Sequence, residues 1–303
     1  MLQNKGVFAV LLAALICFFR IFYSRSRRPS EEIPLPEGEV YEPYYDTMRD
    51  WVRRARTAEQ THVSVRSFDG LTLRGRYFEY AKGAPIEILF HGYRGSAERD
   101  MSGGVYRCFA LGHNALIVDQ RSCGTSDGHV ITFGIRERRD CRTWLDFVLR
   151  EIDPDAKVIL TGVSMGAATV MLAAGEELPS NVVGVLADCG FTSARDIIRR
   201  VIREMHLPVT LLYPIARLGA RLFGGFDLEE DAPVEAVKRA KVPILFIHGD
   251  TDDFVPYEMS VENQAACASP SELVPIPGAG HGLCYPSAPE QYLATLKRFF
   301  APY

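Results

Sequence analysis

The chain has 303 residues, 47% of them apolar and 24% charged, with a formal net charge of −4. That is enough apolar material for one sizeable core, and the slight acidic balance excludes a general pull toward nucleic acid. The seven cysteines, Cys17, Cys108, Cys123, Cys141, Cys189, Cys267 and Cys284, form no C-x-x-C pair and no Cys/His cluster with zinc spacing. They argue against a disulfide framework and for reduced thiols. H-E-x-x-H, the P-loop and G-x-G-x-x-G are all missing from the sequence, so no metal, nucleotide or other cofactor is implied.

Taken from the N-terminus, Gly6 to Phe19 is wholly apolar or small, and Ile21-Phe22-Tyr23 extends the stretch past Arg20. At about 18 residues this is the lower limit for crossing a bilayer. No small-x-small cleavage site follows it, which disfavours a signal peptide. Arg20, Arg25, Arg27 and Arg28 lie after the stretch and only Lys5 before it. Residues 1–28 are therefore expected to be a single membrane anchor, with the rest of the chain on the cytoplasmic side. Residues 29–45, rich in Pro and Glu, read as a linker over the membrane surface. The globular domain is expected over 46–303.

A first helix is expected near Tyr44 to Glu59. Two alternating runs, His62 to Phe68 and Leu71 to Phe78, flank Asp69-Gly70 and predict a β-hairpin. Strand and helix patterns then alternate: strand 85–90, helix 99–111, strand 114–119, helix 136–150, strand 157–162, helix 165–176, strand 182–188. This order predicts a mostly parallel sheet covered by helices on both faces, with the hairpin as its antiparallel edge. Residues 191–240 separate the next strand, Val242 to His248, by far more chain than a crossover needs. That insert carries two helical runs, Ala194 to His206 and Val209 to Phe223, and reads as a small helical lid. Its helices read either as an amphipathic pair packing on the body or as a lid whose apolar side contributes to a substrate pocket.

Within this framework, the run Lys157 to Leu160 enters Gly162-Val-Ser164-Met-Gly166, and a small-residue helical run leaves it. This is G-x-S-x-G in the strand–turn–helix context that gives the motif meaning. A serine hydroxyl needs a base to act as a nucleophile, and the base needs an orienting acid. In this arrangement the chain order is Ser, then Asp or Glu, then His. His248 and His281 both follow Ser164. His281, in the glycine-rich loop after the short strand Ser271 to Ile276, is the expected base. Asp250, Asp252 and Asp253 all follow the strand ending at His248 and compete for the role of acid. A further turn, His91-Gly-Tyr93-Arg-Gly95, follows the strand ending at Phe90.

These parts resemble the α/β-hydrolase superfamily. The closer resemblance is to bacterial, membrane-tethered serine hydrolases related to the α/β-hydrolase-domain 12 and 13 group. It extends from about Val63 to the C-terminus and includes Asp119-Gln-Arg-Ser-Cys-Gly-Thr-Ser126 and Asp188-Cys-Gly-Phe-Thr-Ser193. The resemblance implies that Asp252 is the acid, by the H-G-x-x-D-x-x-V-P pattern. It further implies that the backbone N–H groups of Tyr93 and Met165 form an oxyanion hole, and that His91 holds its loop. Asp250 is then expected to brace the loop and Asp253 to be solvated. The implied chemistry is hydrolysis of a carboxylic ester, through a serine acyl-enzyme, of a small-molecule or lipid-like acyl substrate. Thioester, amide or peptide cleavage by the same triad is the alternative, and a catalytically idle binding module is a further one. The partners expected are such a substrate and the membrane, with no nucleic acid.

Overall fold

The computed structural model describes residues 2–25 and 31–303. The described residues contribute eight strands to one sheet: β1 (Thr61–Arg66), β2 (Thr72–Phe78), β3 (Ile86–Phe90), β4 (Asn114–Val118), β5 (Val158–Val163), β6 (Val182–Asp188), β7 (Ile244–Gly249) and β8 (Ser271–Ile276). The helices, in chain order, are α1 (Leu2–Cys17), α2 (Tyr45–Thr57), α3 (Ala97–Leu111), α4 (Glu137–Phe147), α5 (Met165–Ala174), α6 (Ala194–Glu204), α7 (Val209–Gly219), α8 (Pro233–Ala236), α9 (Tyr257–Ala266), α10 (Cys284–Ser287) and α11 (Pro289–Phe300). Strand order is β1-β2-β4-β3-β5-β6-β7-β8. β2 pairs antiparallel with β1 and β4, and every later pairing is parallel. The sheet and its antiparallel hairpin edge are those expected from the alternating pattern.

The central strands are apolar at nearly every position because both faces are covered. With a period of two, successive residues serve different layers. On β3, Ile86, Ile88 and Phe90 join Trp144 of α4 and Val170 of α5, while Leu89 joins Met101 and Val105 of α3. On β7, Ile244 and Phe246 face the first layer, and Leu245 and Ile247 pack with Tyr292 and Leu296 of α11.

Several charged groups are buried in the body, among them Glu87, Arg107, Arg121, Glu137 and Asp140. Glu87 on β3 is buried and meets the equally buried Arg107 of α3 at 2.6 Å, with His113 Nδ1 at 2.8 Å and the Thr161 hydroxyl at 2.9 Å. Burial pushes its pKa up, but Arg107, with help from His113, overcomes that and holds the carboxyl at about 2.

The N-terminal stretch is partly packed on the body. Among the described residues, no helix is long and apolar enough to cross a membrane. Beyond α1, the chain turns into the body. Phe22 is fully buried, with Phe133 and Phe226 edge-on at 5.9 and 5.5 Å. Phe22 O accepts the Ile131 N–H at 2.8 Å, and Tyr23 bridges Val130. The Tyr93 hydroxyl donates to Ile21 O, and Arg94 donates to Arg20 O at 2.8 Å. The end of the stretch, through Phe18 and Phe22, is thus packed against the protein, while Val7, Phe8, Leu12, Ile16 and Phe19 remain exposed. Arg27, Arg28 and the boundary between the expected anchor and linker lie outside the described residues.

The expected linker is also in contact with the body. Arg56 of α2 donates to Glu31 O and Glu32 O, the Tyr45 hydroxyl donates to Pro36 O at 3.0 Å, and Ser287 Oγ donates to the Tyr44 hydroxyl. Residues 31–44 form a strap held across one end of the sheet. In the 191–240 insert, α6 buries Ile197, Ile198 and Ile202, and α7 buries Tyr213 and Ala216. Arg217 pairs with Asp227 and Glu229, and Arg221 with Asp227, so these arginines have partners in their own segment.

Two stability outcomes follow. Phe22→Ala, which empties an aromatic site, should cost about 3–5 kcal/mol, read as a fall in the denaturation midpoint of the full chain; an unchanged midpoint would show that the stretch is not part of the folded body. Glu87→Gln leaves a buried guanidinium without its partner and should also cost about 3–5 kcal/mol. Because the folded carboxyl titrates below its ordinary value, this contribution is complete above about pH 4.5 and is lost as pH falls toward 2. Urea titrations across that window should show the wild type losing its advantage over Glu87→Gln.

Candidate active site

The site is built where the strand order reverses, at the carboxyl ends of β3 and β5, where a doubly covered parallel sheet opens a crevice. Ser164 stands between β5 and α5 with φ 57° and ψ −116°, a conformation that costs about 1–3 kcal/mol for a residue with a side chain. Its neighbours have to be glycine. A Cβ on Gly162 would lie 2.1 Å from the Gly166 backbone, and one on Gly166 would lie 2.0 Å from Phe90 O. The turn is held by Ser164 N–H donating to Asp188 O at 2.8 Å and Ala168 N–H to Ser164 O at 3.1 Å.

Ser164 Oγ lies 2.9 Å from His281 Nε2, and His281 Nδ1 lies 2.7 Å from Asp252 Oδ2. The structure therefore joins the three predicted residues in one hydrogen-bonded chain, spanning 117 positions from serine to histidine. With Nδ1–H donated to the carboxylate, Nε2 is left free to accept from the serine hydroxyl. Asp252 Oδ1 accepts the N–H groups of Phe254 and Val255 at 3.0 and 2.8 Å. Burial acts to raise the Asp252 pKa, but hydrogen bonds from His248 and His281 and the backbone hold it well below the usual carboxylate range.

The competing carboxylates do other things. Asp250 Oδ1 accepts the Gly278 N–H at 2.7 Å, which braces the loop that carries His281. Asp253 is exposed, and its backbone O accepts from Arg200. His248 is fully buried, 3.2 Å from Asp252 Oδ2, 2.9 Å from Val255 O and 2.6 Å from Ser260 Oγ. It is a second imidazole on the carboxylate oxygen that His281 meets, a role that the sequence did not reveal. Cys189 Sγ belongs to the same cluster as Asp252 and His281; burial pushes its thiol pKa well up, so it is a neutral neighbour.

His91 holds the turn after β3. Its Nε2 accepts the Gln120 N–H at 3.0 Å, so Nδ1 carries the proton and donates to Gly92 O at 2.7 Å. Gln120 also donates to His91 O and accepts from Thr169 of α5, tying two loops and a helix into one unit. Gly92 lies directly over Ser164, with a Cβ position 3.5 Å from the serine Cβ. Tyr93 follows it in the turn, and Met165 is the first residue of α5, where an N–H has no acceptor within its own helix.

A crevice of about 320 Å³ opens beside Ser164 and His281. Its walls come from α3, α10, the start of α11, α2 and the strap, including Tyr41, Trp51, Met101, Phe254 and Tyr285. None of its lining residues falls within 191–240, so the expected contribution of the insert to the pocket is not what the structure has. α6 and α7 instead cover the cluster around Phe133, Phe191 and Val255. Nothing local in the Pro- and Glu-rich strap marked it as a pocket wall.

Comparison with known proteins gives the family. Residues 88–295 match the model of the alpha/beta hydrolase family. The uncharacterized protein YqkD of Bacillus subtilis is 28% identical over 190 residues, covering 62% of this chain and 62% of its own length. Protein bem46 of Schizosaccharomyces pombe is 24% identical over 218 residues, covering 70% of this chain and 67% of that protein, which fits the relationship to the α/β-hydrolase-domain 12 and 13 group. The solved esterase Pf2001 of Pyrococcus furiosus is 20% identical, covers 93% of this chain and 98% of its own, and superposes with a TM-score of 0.70. The matched segment runs from β3 to α11 and contains the serine turn, the acid loop and the histidine loop, so this chain belongs to the α/β-hydrolase family.

Proposed function

We propose that this hydrolase cleaves carboxylic esters through a serine acyl-enzyme, with Ser164 as nucleophile, His281 as general base and Asp252 as the acid that orients it. The observation that carries the reading is the pair of contacts at 2.9 and 2.7 Å linking Ser164, His281 and Asp252 beside an open crevice. Similarity to a solved esterase supports the choice of ester.

In this mechanism His281 Nε2 takes the hydroxyl proton as Ser164 Oγ attacks the carbonyl carbon. Asp252, kept ionised by its hydrogen bonds, stabilises the imidazolium. The N–H groups of Tyr93 and Met165 receive the tetrahedral oxyanion, a contribution of the order of 3 kcal/mol for each donor. His281 then returns its proton to the leaving alcohol. Water attacks the acyl-enzyme, gives a proton to His281, and the acid departs as Ser164 recovers its hydrogen. His91 has no step in this cycle, since both its nitrogens are committed to the loop.

Ser164→Ala should lower p-nitrophenyl butyrate turnover by about 10⁶-fold and abolish fluorophosphonate labelling, with an unchanged thermal midpoint. Near wild-type turnover would remove Ser164 from its role. Asp252→Asn should cost about 10⁴-fold in kcat, because an amide cannot hold the Nδ1–H tautomer or offset the imidazolium. Asp250→Asn should cost far less, since it loses only a brace to Gly278. A greater loss at Asp250 than at Asp252 would transfer the acid's role to the loop brace.

A further inference from the structure

The rings around the crevice form a fixed wall. Trp51 of α2 lies against Gly103 of α3, where a Cβ would be 2.5 Å from Trp51 Cε3. Trp51 also stacks on Tyr285 at 5.4 Å and 21°. The indole therefore has no room to swing toward α3. Tyr41 closes the wall from the strap. Its neighbour Val40 packs close to Gly280, next to His281 in sequence, 2.9 Å from where a Cβ would stand. Burial pushes the Tyr41 phenol up to about 12, so it stays neutral at working pH. Phe254 completes the ring set, 5.1 Å from His281.

Two arginines in the interior wall are matched, and Asp188, which accepts from the Tyr292 hydroxyl at 2.8 Å, has its carboxyl pushed up by burial toward the neutral form. Arg99 pairs with Asp100, and Arg107 with Glu87. No surplus charge remains on those pairs to bind an ionised substrate group. The volume, about 320 Å³, is at the low end of the 300–1,000 Å³ usual for ligand pockets. Aromatic faces in such a space suit a flat ring or a short aliphatic group.

We propose that the strap–α2 wall, through Tyr41 and Trp51, selects the acyl group, admitting compact, uncharged acyl groups such as a short aliphatic or single-ring one and stopping longer chains at the Trp51–Tyr285 stack. This rests on the assignment of Ser164 as nucleophile. Selectivity thus resides in residues 36–51, before the sheet begins, and not in the 191–240 insert.

The test uses the full chain and p-nitrophenyl acetate, butyrate, benzoate and octanoate, so that the alcohol is constant. In the wild type, kcat/KM for octanoate should fall below that for butyrate by roughly tenfold or more, with benzoate retained. Trp51→Ala should raise the octanoate-to-butyrate ratio by roughly tenfold, and Tyr41→Ala should move it the same way. Tyr41→Ala carries the test if circular dichroism shows that Trp51→Ala does not fold. Leu212→Ala and Phe223→Ala, in the insert, should leave the ratio unchanged. A wild-type preference for octanoate, a uniform loss on all four esters in the wall variants, or a ratio that shifts only in the insert variants overturns the proposal. Fluorophosphonate labelling of the wild type separates the two layers. Labelling with an unaltered acyl profile in the wall variants defeats the wall alone, whereas no labelling and no turnover defeats the nucleophile and the wall together.

Discussion

The constraint on which the site depends is the close approach of β5, α5 and β3 at Ser164. α5 starts so soon after β5, and so near the end of β3, that Gly162 and Gly166 have no space for a side chain and Ser164 takes a positive φ. That conformation is costly in isolation. It persists because the sheet register, the hydrogen bond to Asp188 O and the packing of Ala167 and Ala168 leave the chain no alternative. The outcome is a hydroxyl set at the sheet edge, within reach of a histidine brought from a distant loop.

Around that point the protein uses polar groups in matched sets. Asp252 is saturated by two backbone N–H groups and by His281, with His248 a second imidazole on it. Its ionised state is therefore a property of the loop geometry, not of exposure to water. Glu87 and Arg107 do the same one layer below, where an unpaired member would be expensive in a medium of low dielectric. His91 and Gln120 lock the β3 turn to the β4 turn and α5. Each set fixes a loop whose free ends would otherwise be governed only by backbone entropy.

The N-terminal stretch and the strap give these loops an outer brace. Tyr93 and Arg94 belong to the turn beside Ser164, and both donate to carbonyls of residues 20–23. Phe22 fills the cluster beneath α6 and α7, while Val40 and Tyr44 meet the segment from His281 to Ser287. Segments remote in sequence from the sheet thus bear on both sides of the crevice.

Periodicity and turn chemistry were sufficient for the strands, the hairpin and the serine turn, because those depend on neighbours within a few residues. Ser164 and His281 were legible from the motif, the chain order and the glycine-rich loop. Asp252 was chosen from three candidates by a family pattern; its place beside His281 is a matter of loop geometry, seen only once Asp250 is found on Gly278 and Asp253 in solvent. The part of His248 was hidden because a buried strand residue carries no local sign of what lies across from it. The N-terminal run is ambiguous for a physical reason: hydrophobicity records that a segment avoids water, and either lipid or the protein groove around Phe133 and Phe226, where Phe22 sits, satisfies it. The crevice wall was beyond the sequence altogether. A Pro- and Glu-rich strap and an amphipathic helix acquire that position only when Trp51 meets Gly103 and Tyr285, which lie far from it in sequence and are brought together by the fold.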